Sequence, residues 1–123
     1  MQDERSERLT YCELTRTDDR VAVSGEIDVA SAEAIADRVC GALTGTVTVV
    51  DLRAVTFFGA AGVHLLRKIA LAACAADTIV HVPFSPAVRH TMDLCGVTEL
   101  PGLVLDRSDR REPDPTGERE APP

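Results

Sequence analysis

Tryptophan is absent, and one tyrosine with three phenylalanines gives an aromatic content of only 3% in 123 residues. So few rings leave little with which to stack on bases or sugars. The core must be built from the Val, Leu, Ile and Ala that dominate the 45% of apolar residues. Lysine is nearly missing: Lys68 stands alone beside twelve arginines, and no basic run reverses the net charge of −7. That charge repels nucleic acid phosphates and anionic membrane surfaces, so neither is expected as a direct partner. No apolar run approaches the ~20 residues that span a bilayer, and Met1-Gln2-Asp3-Glu4-Arg5-Ser6-Glu7 is too charged to begin a secretory signal. The expectation is a cytoplasmic protein without membrane insertion. Cys12, Cys40, Cys74 and Cys95 are widely scattered, with no C-x-x-C pair and no histidine at ligand spacing. No metal and no cofactor are therefore expected, and the thiols are read as reduced and buried in the core.

What is present has the order of a small α/β domain. Both ends are polar, and the length suits one domain of roughly 100 residues. Residues 1–8 read as a polar extension, 9–105 as the domain, and 106–123 as a disordered charged and proline-rich tail. Leu9 to Arg16 and Arg20 to Ile27 read as a β-hairpin around Thr17-Asp18-Asp19, with Val21, Val23, Gly25 and Ile27 alternating with Ala22, Ser24 and Glu26. Asp28-Val29-Ala30-Ser31 supplies caps for a helix with Ile35, Val39 and Leu43 on one face, ending near Thr44-Gly45. Thr46 to Leu52 is a nearly continuous β-branched and apolar run, as a central strand requires. A second helix is expected from about Ala60 to Ala75, with Leu66, Ile69 and Ala73 inward and His64, Arg67, Lys68 and Leu71 outward. Thr78 to Val82 reads as a strand. Ser85-Pro86 starts a third helix carrying Val88, Met92 and Cys95 inward and ending at Gly96, and Leu103-Val104-Leu105 adds an edge strand. The predicted fold is a mixed β-sheet of about four to five strands with helices packed against it.

Hydroxyls are missing at one informative place. The strand containing Val50-Asp51-Leu52 runs through Val55-Thr56-Phe57-Phe58 into Gly59-Ala60-Ala61-Gly62, and the helix that follows begins without a serine, threonine or aspartate. Two glycines invite a phosphate-loop reading, yet no lysine follows at the Walker spacing, and Lys68 lies more than a helical turn further on. His64, His81 and His90 have no serine, cysteine or carboxylate at a spacing that would make a hydrolytic triad or a metal centre, so no enzyme is expected.

Gly25-Glu26-Ile27-Asp28, then Val50-Asp51-Leu52 with Val55-Thr56-Phe57, then Ser85-Pro86-Ala87-Val88 through Leu94-Cys95-Gly96-Val97 occur in the order and spacing of the STAS domain, which the chain resembles over about residues 9–105. STAS domains include bacterial anti-sigma factor antagonists. The resemblance implies binding to an anti-sigma factor that is also a serine kinase of the GHKL type, with release of a sigma factor, and phosphorylation at the turn reverses that binding. The family pattern Asp-Ser-Ser/Thr-Gly falls on Gly59, Ala60, Ala61 and Gly62, so only the last glycine is retained. Methyl groups offer no oxygen to accept a phosphoryl group. Phosphorylation at this turn is excluded, the family position being Ala60, and the surface is locked in its uncharged form. Thr56, the nearest hydroxyl, is expected inside the strand end and satisfied by backbone.

The resemblance places partner contacts on Asp28, Gly59, Ala60, Ala61, Gly62, Val63, His64 and Arg67. The plainer readings are a helix cap for Asp28, a solvated side chain for His64 and close packing for both glycines. A STAS subunit of a signalling scaffold or a transporter fits the alanine pair as well as an antagonist does. A nucleotide or anion sensor using the same helix N-terminus is a third reading, against which the missing Asp and Ser side chains count.

Overall fold

The computed structural model describes residues 5–43 and 47–106. Six strands form one sheet in chain order: β1 (Arg5–Leu9), β2 (Cys12–Arg16), β3 (Arg20–Glu26), β4 (Val49–Phe57), β5 (Val80–Pro83) and β6 (Leu103–Asp106). The first three are an antiparallel meander, and β3 to β6 are mutually parallel. Parallel neighbours need crossovers, supplied here by α1 (Val29–Ala42), α2 (Gly59–Ala75) and α3 (Pro86–Leu94). Each crossover steps one strand the same way, so α2 packs between α1 and α3 on a single face of the sheet.

The mixed α/β class and the single domain agree with expectation, and the sheet has six strands where four to five were predicted. The added strand is β1, which takes Arg5 to Arg8 out of the predicted polar extension and pairs them antiparallel with β2. The strand expected from Leu9 to Arg16 is thus broken at Thr10-Tyr11. Arg38 of α1 reaches β1, where its Nε and Nη2 donate to the Glu7 carboxylate at 2.8 and 2.5 Å. Residues 1–4, the tail from 107 and the predicted α1 stop at Thr44-Gly45 lie outside the described residues.

The central strand runs longer and later than predicted, because β4 carries extra residues. Ala22 pairs with Asp51 but Ser24 with Ala54, and Gly25 pairs with Val55 but Glu26 with Phe57. Each slip adds one residue on β4 and reverses which parity points inward. Val50 and Leu52 are therefore buried, then Val55, then Phe58, while Thr56 and Phe57 are exposed. Thr56 departs from the expectation of a buried, backbone-satisfied hydroxyl: among the described residues it has no side-chain hydrogen bond.

The core is one cluster in which Leu52, Phe58, Leu65, Leu66, Ile69, Phe84 and Val88 are almost fully buried, each contributing about 1.5–3 kcal/mol on leaving water. The reading of four buried thiols is corrected. Cys12 is buried and Cys40 partly so, whereas Cys74 and Cys95 are exposed. Cys95 lies just beyond the last turn of α3, where the inward stripe of Val88 and Met92 has already ended.

Candidate functional site

All three helices start at the carboxyl edge of the parallel strands, the edge at which open α/β sheets place their binding residues. Their first turns differ. Asp28 caps α1 through a reciprocal capping box: its Oδ1 accepts from the Ser31 N–H at 2.9 Å, and Ser31 Oγ accepts from the Asp28 N–H at 2.9 Å. The Ser31 main-chain and side-chain hydrogen bonds hold the Asp28 carboxyl below its usual range. Ser85 caps α3, accepting from Val88 N–H at 3.3 Å while its hydroxyl donates to the Val55 carbonyl at 2.7 Å. That second bond pins the start of α3 to β4.

α2 alone begins with no side-chain cap, and like the other two helices it has no acid in its first turn. Phe58 precedes it and is buried, so its ring lies under the helix. Gly62 rests directly on that ring, and a Cβ there would overlap three of its carbons. Gly59 has φ +65°, a conformation in which an L side chain is strained. The two glycines serve the bend and the close packing, as the sequence led us to expect. The Gly62 N–H returns to the Phe58 carbonyl at 3.2 Å. Among the described residues, the N–H groups of Gly59, Ala60 and Ala61 have no partner, as at any uncapped helix start.

Of the predicted contact residues, Asp28, Gly59, Ala60 and Ala61 stand at this edge, and His64 and Arg67 lie one and two turns further along α2. The Ile27 N–H donates to the Phe57 carbonyl at 3.0 Å, which holds Asp28 beside the Gly59 turn. Ala60, His64 and Arg67 are exposed along α2, and Asp28, Gly59 and Ala61 are partly covered. Val63 is a correction: it is 5% exposed and belongs to the core, and Gly62 is likewise covered. The cause is the central position of α2, which buries it on the sheet side and on both flanks. Only a narrow strip of residues 60, 64, 67, 68, 71, 74 and 75 is left open.

Three apolar side chains that the sequence reading passed over complete the edge. Tyr11 in the β1–β2 turn, Val29 in the first turn of α1 and Phe57 at the end of β4 are 63%, 73% and 57% exposed. Tyr11 is tied to this edge because its carbonyl accepts from Glu26 N–H at 2.9 Å, and Glu26 pairs with Phe57. Gly25 permits that approach, since a Cβ there would stand 2.5 Å from the Tyr11 carbonyl oxygen. A usable signal lay in Phe57-Phe58: adjacent strand residues point to opposite faces, so one ring had to be exposed.

On the sheet face away from the helices, Asp51 is 9% exposed and holds two arginines. Arg20 Nη1 lies 2.9 Å from Oδ2, and Arg53 donates its Nη2 to Oδ2 at 2.8 Å and its Nε to Oδ1 at 3.0 Å. Burial raises the Asp51 carboxyl, but the Arg53 side-chain and main-chain hydrogen bonds and the charges of Arg53 and Arg20 outweigh it, leaving it below the usual range. This ties β3 to β4 behind the carboxyl edge.

The edge as a whole offers methyl groups, two exposed rings and unpaired main-chain donors. Among the described residues no group of histidine, cysteine or carboxylate side chains is placed to hold a metal, and no helix is long and apolar enough to cross a membrane.

A protein-family model described as Mlab, STAS domain, matches residues 12–105, more than half of the chain. No curated protein matches. A solved structure of the anti-sigma factor antagonist SpoIIAA in its unphosphorylated form is similar at 19% identity, over 87% of this chain and 92% of that one, with a TM-score of 0.46.

Proposed function

Because the chain belongs to the STAS domain family, we propose that it is a regulatory protein-binding module of the anti-sigma factor antagonist type, gripping a GHKL-type serine-kinase anti-sigma factor at the carboxyl edge of its sheet without being switched by phosphorylation. The observation that carries this reading is the start of α2. Ala60 is exposed and Ala61 partly so, in the first turn of a helix whose N–H groups have no side-chain cap. A phosphate there would add about −1.5 to −2 charges at an end that favours anions. With methyl groups in place, the charge that reverses binding in the family has no atom to attach to. Tyr11, Val29 and Phe57 supply the apolar contact area expected of a binding edge. The module acts by occupying its partner, performs no chemistry of its own, and works where an ATP-dependent partner works, in the cytoplasm.

A second reading has one observation in its favour: the matching family model is described as Mlab, STAS domain. In that reading the same edge docks permanently into a larger assembly, such as a scaffold or a transporter, and the hydroxyl is dispensable.

The test is to mix the purified full chain with each serine-kinase anti-sigma factor of its own genome, in ADP and in ATP. The antagonist reading expects a complex of equal strength in both nucleotides, sigma factor displaced, and no phosphate on the chain. Absence of any complex, or phosphate incorporated at any residue, overturns it. A stable complex with a non-kinase assembly subunit transfers the edge to the second reading.

A further inference from the structure

Beside the turn, α1 and α2 leave a groove of about 190 Å³ between them. Its apolar lining is Ala32, Ala61 and Leu65, with the exposed Val29 beside them. Its two walls carry opposite charges, Glu33 on α1 and Lys68 on α2, with His64 beside the lysine. α2 contains no acidic residue from end to end, and Lys68 is the single lysine of a chain with net charge −7. Among the described residues Glu33, His64 and Lys68 have no ion-pair or hydrogen-bond partner. An apolar channel with an unpaired acidic wall facing an unpaired basic wall matches the seam and flanking charge positions on which one helix receives another.

We propose that this groove receives an amphipathic helix of the partner protein, one whose apolar stripe is edged by basic residues on the side of Glu33 and by acidic residues on the side of Lys68. The inference rests on the functional reading above only for the partner being a protein. The helix lies along α1 and α2 with its apolar stripe over Ala32, Ala61 and Leu65, and the small residues let it approach closely. The two charged walls set its orientation, because a reversed helix would bring like charges together.

The probes are side-chain-stapled helical peptides of about 14 residues, long enough to lie along the groove, with leucine at i, i+3/i+4 and i+7. One has lysine along one edge and glutamate along the other, the second has glutamate on both edges, and the third has lysine on both. Fluorescence anisotropy with the full chain should show the mixed peptide binding about fivefold more tightly than either uniform one, the difference expected from a few exposed charge pairs. Glu33→Lys should move the preference to the glutamate-edged peptide, and Lys68→Glu to the lysine-edged one. Both positions are exposed, so circular dichroism should be unchanged. Ala61→Leu, which fills the groove, should abolish binding of all three peptides. No binding at millimolar peptide, or preferences that the two charge variants leave unmoved, overturns the inference. So does a homodimer in sedimentation that Ala61→Leu dissociates, since a second copy then occupies the groove. Loss of peptide binding with an anti-sigma factor still bound removes this inference alone, whereas peptide binding with no anti-sigma factor bound removes only the functional reading.

Discussion

The main-chain N–H of Ile27 donates to the carbonyl of Phe57 at 3.0 Å, and through that bond the ends of β3 and β4 are held edge to edge. Asp28 follows one and Gly59 follows two residues later, so the start of α1 and the start of α2 are fixed beside each other by backbone alone. The turn is consequently positioned whatever side chains occupy 60 and 61. Removing or restoring a hydroxyl there changes the chemistry of the surface without moving it.

That independence makes Ala60→Ser an informative variant. Residue 60 is exposed in the first turn of a helix with no cap. The variant should fold with stability within about 0.5 kcal/mol of the parent, as surface changes do. With a kinase anti-sigma factor and ATP, intact-protein mass spectrometry should find one added phosphate on Ala60→Ser and none on the parent. The phosphorylated form should lose the complex. A serine at 60 that alters neither association nor regulation contradicts the proposed lock.

Glycine at 62 is under a tighter constraint. Gly62→Ala drives a methyl into the Phe58 ring, which is itself 1% exposed and has nowhere to go. Overpacking of this kind costs typically 1–3 kcal/mol. Urea unfolding should show a lower midpoint with an unchanged slope. Gly59→Ala should cost about 1–2 kcal/mol for a different reason, the left-handed φ of +65°.

Much of the frame was legible because its signals are local. Ser85 followed by Pro86 announces a helix start by its own chemistry, and Asp28 with Ser31 does the same for α1. The turn was legible because its glycines and its missing hydroxyls are sequence facts. Other features depend on neighbours far along the chain. Val63 is not one of them: it stands three residues before Leu66, on the inward side of a 3.6-residue wheel, so its burial was countable from the sequence. β1 was hidden because Arg5, Glu7 and Arg8 charge both of its faces, as edge strands often do. The two slips in β4 reverse its alternation, so the exposure of Phe57 and Thr56 cannot be counted from the start of the strand. Val29 was hidden in a run read only for its caps.

Ser85 should prove costly to remove. It satisfies the Val88 N–H and the Val55 carbonyl at once and is 5% exposed, so Ser85→Ala leaves two buried groups short of a partner. A lost cap costs about 1 kcal/mol and an unsatisfied buried carbonyl a further 1–3 kcal/mol. Thermal unfolding should register the sum, and hydrogen exchange should show the loss concentrated in α3.

Asp51 gives the chain an acid-sensitive element with a definite sign. Its folded-state pKa lies below the ordinary carboxylate value, so the native state binds the proton less readily than the unfolded chain does. The stability from this group is fully present above the unfolded value of about 3.9 and falls away as pH drops through the folded value. Asp51→Asn removes the charge that Arg20 and Arg53 converge on. It should destabilise the protein at pH 7 by about 1–3 kcal/mol and flatten the loss of stability below about pH 4. Denaturation midpoints measured at a series of acidic pH values would test both effects, and an unchanged acid limb in Asp51→Asn would contradict them.

Phe57 offers the clearest separation of folding from binding. Its ring is 57% exposed while its backbone carries the Ile27 bond, so Phe57→Ser keeps the frame and removes only the surface. Stability should change by less than about 0.5 kcal/mol. If the carboxyl edge is the contact surface, an aromatic anchor at its centre is worth 2 kcal/mol or more to the complex, about a thirtyfold weakening on its loss. Tyr11→Ser should act in the same direction, since the same edge holds that ring. Isothermal titration of the two variants against the partner decides the matter. Full affinity in both would move the interface off the sheet edge, leaving the groove between α1 and α2 to carry the contact alone.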